Sequence, residues 1–181
     1  MPTTPAVLPA PRTGAGPSAS GASPTPSTGY PVGPWASSVC QALVPFANDS
    51  QGGSSPTAAA RTFAEARTRE IKILTTFSAD LDDALPAIRA LGPPRVSDGA
   101  VVQADLVTGL AQLQQSVSGA LAKASAATTA LALQASVTGL RAASSSPQLA
   151  ASQRLITAKG TALAAAVNAD PTCRAINFNK P

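Results

Sequence analysis

The stretch "GPPRVSDG", residues 92–99, decides how this chain folds. Its tandem prolines, Pro93 and Pro94, cannot continue a helix, because proline lacks a backbone N–H and disfavours helical geometry in the residue before it. Amphipathic patterns lie on both sides of the stretch. The chain must therefore reverse here, and the sequence predicts a long helical hairpin with helices at about residues 56–91 and 98–143.

The spacing of apolar residues on both arms supports this hairpin. On each arm they recur mostly at intervals of three or four, which is the spacing of helix-packing seams in bundles and coiled coils. After residue 121 the second arm becomes a run of small side chains. The seam positions are Leu74, Phe77, Leu81, Leu85, Ile88 and Leu91 before the turn, and Val102, Leu106, Leu110, Leu113 and Val117 after it.

Two shorter helices flank the hairpin. The spacing of Trp35, Val39 and Leu43 predicts a helix at about residues 35–48, and a further apolar stripe predicts one at about 147–169. Short connections between helices imply antiparallel neighbours. The predicted fold is all-α, an antiparallel three- to four-helix bundle with one long helical hairpin.

Residues 1–34 differ in composition from the rest of the chain. Nine of the 17 prolines lie here, and 23 of these 34 residues are Pro, Gly, Ser or Thr. Proline opposes helix formation and glycine raises the entropy lost on ordering, so this composition is typical of a disordered tail or linker. The sequence thus predicts a disordered tail at 1–34 and a helical domain at 35–181.

Composition excludes several classes of function. The chain contains no histidine, which excludes a Ser–His–Asp triad and argues against an enzyme. The net charge of +4 is dispersed, so no nucleic-acid partner is expected. No run of about 18 apolar residues occurs, so no transmembrane helix is expected. The sequence predicts no catalytic residue, no cofactor and no metal ligand.

Two local features have alternative interpretations. Asp80, Asp82 and Asp83 lie together on the first arm, where Asp80 and Asp83 share a helix face and could hold a divalent cation or act in acid–base chemistry. Such carboxylates are more often simply solvated, and this is the favoured interpretation. Trp35, the only tryptophan, could be a platform for a ligand, but a plug in the core is favoured.

Cys40 and Cys173 are the only cysteines. Counting about 1.5 Å per residue along antiparallel helices places Cys40 level with residue 70 and Cys173 level with residues 72–75. Their similar heights favour a disulfide, and the alternative is two unpaired thiols in a cytosolic protein. Closing a loop of about 133 residues would contribute up to about 5 kcal/mol on the chain-entropy model.

These features also occur in one arrangement along the chain. A Pro/Ser/Thr-rich segment precedes a first helix with Trp35, Cys40 and Ala42–Leu43, the break at Pro93–Pro94 divides an alanine-rich body, and Cys173 lies near the end. In this arrangement the chain resembles uncharacterised exported alanine-rich helical proteins of high-GC bacteria. The resemblance implies export, and it implies no activity and no site residue.

The sequence supports one main functional hypothesis and one alternative. The first is a non-enzymatic extracytoplasmic domain, secreted or tethered to the envelope, that binds a protein, cell-wall or lipid partner. Residues 1–14 lack the apolar core of a signal peptide, so this hypothesis expects the signal to be encoded upstream. The alternative is an intracellular phasin-like coat or scaffold that lays amphipathic helices on an apolar surface and self-associates. An oligomer is compatible with both.

Overall fold

The computed structural model describes residues 29–52, 60–144 and 147–176. Within these ranges the chain forms seven α-helices and no strand, which confirms the predicted all-α class. An isolated β-bridge joins Tyr30 to Pro94. The helices are α1 Val32–Gly52, α2 Phe63–Leu91, α3 Gly99–Ala126, α4 Ala130–Ser144, α5 Pro147–Thr157, α6 Ala162–Ala169 and α7 Pro171–Ala175.

The predicted hairpin consists of α2 and α3, and glycines make its turn possible. Gly92 follows α2 with a φ of 69°, a left-handed conformation that glycine adopts without strain. Gly99 begins α3 so close to the turn that a β-carbon there would lie 1.9 Å from the carbonyl oxygen of Pro94. A larger residue at Gly99 would therefore displace the turn.

Side-chain hydrogen bonds fix the register of the hairpin near both ends. Beside the turn, Gln103 Nε2 donates to the carbonyl oxygen of Ile88 over 2.7 Å. At the far end, Arg67 Nε donates to the carbonyl oxygen of Ala124 over 3.2 Å. The Ala124 carbonyl also accepts the backbone N–H of Ala127, and a second guanidinium nitrogen of Arg67 donates to the carbonyl oxygen of Ser125, so Arg67 helps to cap the end of α3.

The second arm of the hairpin is shorter than predicted. α3 ends at Ala126 rather than near residue 143, and α4 and α5 then pack against α3. Thr129 starts α4, because its hydroxyl accepts the backbone N–H of Ala132 over 3.2 Å. Small side chains surround this reversal, so no change in apolar spacing marks it in the sequence.

The last predicted helix, at 147–169, is divided in two. Gly160, with a φ of 81°, turns the chain between α5 and α6. The Thr161 hydroxyl caps α6 by accepting the backbone N–H of Ala164 over 3.1 Å. This turn directs α6 and α7 onto α1, so the last described helices contact the first.

The starts of α1 and α2 also differ from the predicted ones. α1 begins at Val32, because proline at position 34 is tolerated in a first turn, where the N–H has no intrahelical partner to lose. α2 begins at Phe63, where the Thr62 hydroxyl accepts the backbone N–H of Glu65 over 3.2 Å. Residues 1–28 of the predicted tail lie outside the described residues, so the division at residue 34 stays a prediction.

The helices surround one core. α1 packs on α2, and α2 packs on α3, while α4 and α5 cover α3, and α6 and α7 cover α1. α5 also contacts α6, which closes the arrangement into the antiparallel three- to four-helix bundle that the sequence predicts. The largest fully buried side chains include Trp35, Leu74, Leu81, Ile88, Ile156, Val102 and Val117.

One carboxylate lies within this core. Glu70 is only 4% exposed, although its carboxyl oxygens are not among the described side-chain atoms that are shielded from solvent without a partner. Arg67, one turn away, directs its guanidinium to the carbonyls of Ala124 and Ser125 instead. Burial therefore raises the pKa of Glu70 above its ordinary value.

Glu70→Gln should stabilise the protein at neutral pH by roughly 1 kcal/mol, because it removes a charge that burial desolvates. The raised pKa means that the folded state binds a proton more strongly than the unfolded state. At pH values above the folded-state pKa of Glu70, the wild type should therefore be less stable than the variant by the full amount. This difference in the free energy of unfolding should disappear as the pH falls to the unfolded-state pKa of Glu70. Urea unfolding at neutral and at acid pH measures both quantities. An equal difference between the two proteins at both pH values would contradict this account.

Candidate functional site

The residues singled out by the sequence converge on one end of the bundle. We define the turn end as the turn at residues 92–98, the first half of α1 and residues 158–176. It contains Trp35, both cysteines and a cleft. The chain segments that meet here are far apart in sequence, so tertiary packing alone brings them together.

Trp35 anchors α1 to the hairpin. Its indole Nε1–H lies 3.0 Å from the carbonyl oxygen of Gly92 and 3.2 Å from Gln103 Oε1, and it donates to both. Gln103 in turn donates to the carbonyl oxygen of Ile88. Because the Trp35 side chain is fully buried, it presents no ring face to a ligand, as expected of a core plug.

The residues before α1 are held against the same turn. The backbone N–H of Tyr30 donates to the carbonyl oxygen of Pro93 over 2.8 Å, and the N–H of Arg95 donates to the carbonyl oxygen of Tyr30 over 2.9 Å. Arg95 Nε also donates to the carbonyl oxygen of Gly29 over 2.6 Å. The start of α1 is thus fixed by backbone and side-chain bonds together.

The two cysteines lie buried between α1 and α7. The structure places the sulfur atoms of Cys40 and Cys173 at disulfide distance, with their Cα atoms 5.1 Å apart. Asp170 positions Cys173, because its carboxylate accepts the backbone N–H groups of Thr172 and Cys173 over 2.8 and 3.0 Å. These hydrogen bonds lower the pKa of Asp170, since they favour its charged form.

The predicted height of Cys40, level with residue 70, is wrong. α1 is anchored at the turn, and further along it the ring centroid of Phe46 lies 5.2 Å from that of Phe77. Cys40 lies between these contacts, level with about residues 83–87 of α2. The anchor at the turn sets the register of α1, whereas the predicted height was counted from the connection to α2.

A cleft of about 370 Å³ opens beside the turn. The turn and the start of α3 form one wall, and the residues between α5 and α6 form the other. Asp98 is the charged residue among those that line it, and its side chain makes no capping bond to α3. The apolar lining residues are Val96, Val102, Ala158, Ala162 and Leu163.

This cleft has the volume of a small-molecule site, although its chemistry is limited. The Thr161 hydroxyl donates to the carbonyl oxygen of Ala158 over 2.9 Å and accepts the backbone N–H of Ala164. Both hydrogen bonds stabilise the turn between α5 and α6. Ser97 and Asp98 are the other polar residues that line the cleft. The cleft is large enough for a small apolar group.

The three clustered aspartates all lie on α2, but their side chains have different surroundings. Asp82 accepts a hydrogen bond from Gln114 of α3, whereas desolvation and then the charges of Asp49 and Asp83 raise the pKa of Asp80. Among the side chains that the structure describes, no group of three His, Cys, Asp or Glu residues is placed to hold a metal ion. The arrangement therefore offers no support for the divalent-cation interpretation.

Two side chains that position the candidate site were not predicted from the sequence. Gln103 lies beside Val102 on the buried face of α3, where a polar residue signals a buried hydrogen-bond partner. Asp170 precedes Pro171, and an aspartate followed by a proline can start a new helix as well as end the preceding one.

None of the helices in the described ranges combines the length and the apolar character that a membrane span requires. Comparison with family models, curated proteins and solved structures finds no match to this chain.

Trp35→Phe should lower the free energy of unfolding by about 2–4 kcal/mol. The substitution removes the donor shared by Gly92 and Gln103 and leaves a gap in the core. Urea unfolding measures the loss. Leu131→Ala is the control, because Leu131 is 78% exposed and its truncation should change stability by less than about 0.5 kcal/mol. Equal effects of the two substitutions would show that the anchor is not needed.

Proposed function

We propose that this chain is a non-enzymatic extracytoplasmic domain, secreted or tethered to the envelope, and that a Cys40–Cys173 disulfide stabilises it. The observation that carries the proposal is the burial of both cysteines at disulfide distance between α1 and α7. Disulfides persist in oxidising compartments, and the cytosol keeps most thiols reduced. The pairing of the only two cysteines therefore favours a location outside the cytoplasm.

The composition of the bundle supports a structural role for the disulfide. Many buried positions are alanine or valine, which remove less apolar surface from water than leucine or phenylalanine. A crosslink over 133 residues reduces the entropy of the unfolded chain, and this stabilises the folded state. Such a crosslink would join the first helix to the last and compensate for the small core.

A binding role fits the chemistry of the chain better than catalysis does. The chain contains no histidine, which is the commonest general base, and most of the residues that line the cleft are apolar. The apolar lining of the cleft is compatible with a protein, cell-wall or lipid partner that inserts a small apolar group. The proposed activity is therefore recognition of such a partner.

The state of the thiols in the native host tests the compartment. Protein recovered from the host should gain no mass on alkylation under denaturing, non-reducing conditions, and two alkyl groups after reduction, because it has two cysteines. It should also occur in the envelope or secreted fraction. Reduced thiols in a cytosolic, self-associating protein would overturn the proposal and favour the phasin-like alternative.

Substitution of the cysteines tests the structural role of the disulfide. Cys40→Ser, Cys173→Ser and the double variant should each lower the free energy of unfolding by about 2–5 kcal/mol. Reductant should bring the wild type to the stability of the double variant and leave that variant unchanged. A wild type that is equally stable with and without reductant would contradict the role.

A further inference from the structure

The sulfur atoms of Cys40 and Cys173 are shielded from solvent. Cys40 is 2% exposed and Cys173 is 1% exposed. The Sγ atom of Cys173 lies 3.5 Å from the carbonyl oxygen of Ala36 on α1. A reductant must bring a thiolate into contact with one of the two cysteine sulfurs. Reduction of the folded chain therefore requires that part of the bundle opens first.

Of the two helices that carry the cysteines, α7 is the easier to open. Cys40 lies on α1, a helix of 21 residues that Trp35 anchors to the hairpin. Cys173 lies on α7, which has only five residues. Isolated helices of fewer than about 12 residues are marginal in water, so α7 depends on its cap and its packing for its helical form. The smallest opening that exposes the sulfurs is therefore the unwinding of α7.

The junction between α6 and α7 lets α7 unwind separately. Pro171 has no N–H to donate to a carbonyl of α6, so the two helices are not continuous. Asp170, which lies between them, is in an extended conformation with a ψ of 125°. α6 has its own cap at Thr161 and its own contacts with α1 and α5. Unwinding of α7 thus leaves the other helices in place.

The carboxylate of Asp170 holds α7 in its helical form. It accepts the backbone N–H groups of Thr172 and Cys173 over 2.8 and 3.0 Å. Hydrogen bonds to a charged acceptor are stronger than neutral ones, and these two satisfy donors that the start of a helix leaves without an intrahelical partner. One of the donors belongs to Cys173 itself. Loss of the carboxylate would therefore loosen the backbone directly at the disulfide.

We propose that α7 is a cover that protects the Cys40–Cys173 disulfide from reduction, and that Asp170 is the positioning residue that keeps this cover closed. The inference rests on the disulfide of the proposed function, but it does not depend on the proposed location of the protein. The cover opens by local unwinding of α7. The frequency of this unwinding, rather than the stability of the whole bundle, determines how fast the bond is reduced.

Reduction by dithiothreitol proceeds in two exchange steps once α7 has unwound. A thiolate of dithiothreitol attacks one cysteine sulfur, so that a mixed disulfide forms and the other cysteine leaves as a thiolate. The second sulfur of dithiothreitol then closes a cyclic disulfide and releases the first cysteine. Two electrons pass from dithiothreitol to the protein, and its two thiol protons reach the cysteine thiolates through the solvent.

The rate at which the folded full chain is reduced tests the cover. The purified, oxidised chain is exposed to dithiothreitol, and samples are alkylated at intervals and weighed by mass spectrometry. Asp170→Ala removes the acceptor and should accelerate reduction by about 5- to 30-fold, as expected for the loss of a helix cap. Asp170→Asn keeps an acceptor oxygen, and its rate should be closer to that of the wild type than to that of Asp170→Ala.

Thr62→Ala is the matched control, because the Thr62 hydroxyl caps α2 at the far end of the hairpin by accepting the backbone N–H of Glu65. This variant loses a cap of the same kind, yet it should be reduced at the rate of the wild type. Equal rates for the wild type and Asp170→Ala would overturn the proposal. So would an equal acceleration in Thr62→Ala, which would identify global unfolding as the route.

An Asp170→Asn variant that is reduced as fast as Asp170→Ala would also overturn the role of the cap. A chain that forms no disulfide on oxidation would contradict both this proposal and the proposed function. Reduced thiols in protein recovered from the host would contradict the proposed function alone, because the reduction experiment uses a chain that is oxidised after purification.

Discussion

The indole N–H of Trp35 is the interaction on which the rest of the structure depends. It is shared between the carbonyl of Gly92, at the end of α2, and the side chain of Gln103 on α3. Gln103 in turn donates a hydrogen bond to the carbonyl of Ile88 on α2. One donor thus ties α1 to both arms of the hairpin, and the register it imposes determines which residues of α1 meet α2, α6 and α7.

The need for such ties follows from the composition of the core. Leucine is the commonest buried residue, but six buried positions are alanine, which lets neighbouring helices approach closely and buries little apolar surface. Packing at those positions therefore specifies register weakly. Directional bonds compensate at separate places: Arg67 at the far end of the hairpin, Trp35 at the turn, and the cysteine pair between α1 and α7.

The elements predicted well from sequence are those with large side chains at regular spacing. The turn at residues 92–98 and the core-facing stripes of α2 and α3 were predicted, because prolines and large apolar residues leave clear signals. The reversal at 127–129 was not, since the residues around it are small. At the candidate site, the core position of Trp35 was predicted, but its acceptors and the height of Cys40 were not.

The sequence by itself determined an all-α bundle with one long hairpin, a chain without histidine, and a pair of cysteines that flank the helical region. These properties are local or compositional, so they can be derived without knowing which residues meet. Only the tertiary structure decided that α4 and α5 fold back on α3, that Cys40 lies near residue 85 of α2, and that α6 and α7 pack on α1. Each of these depends on the register between helices, which contacts distant in sequence set at the turn end.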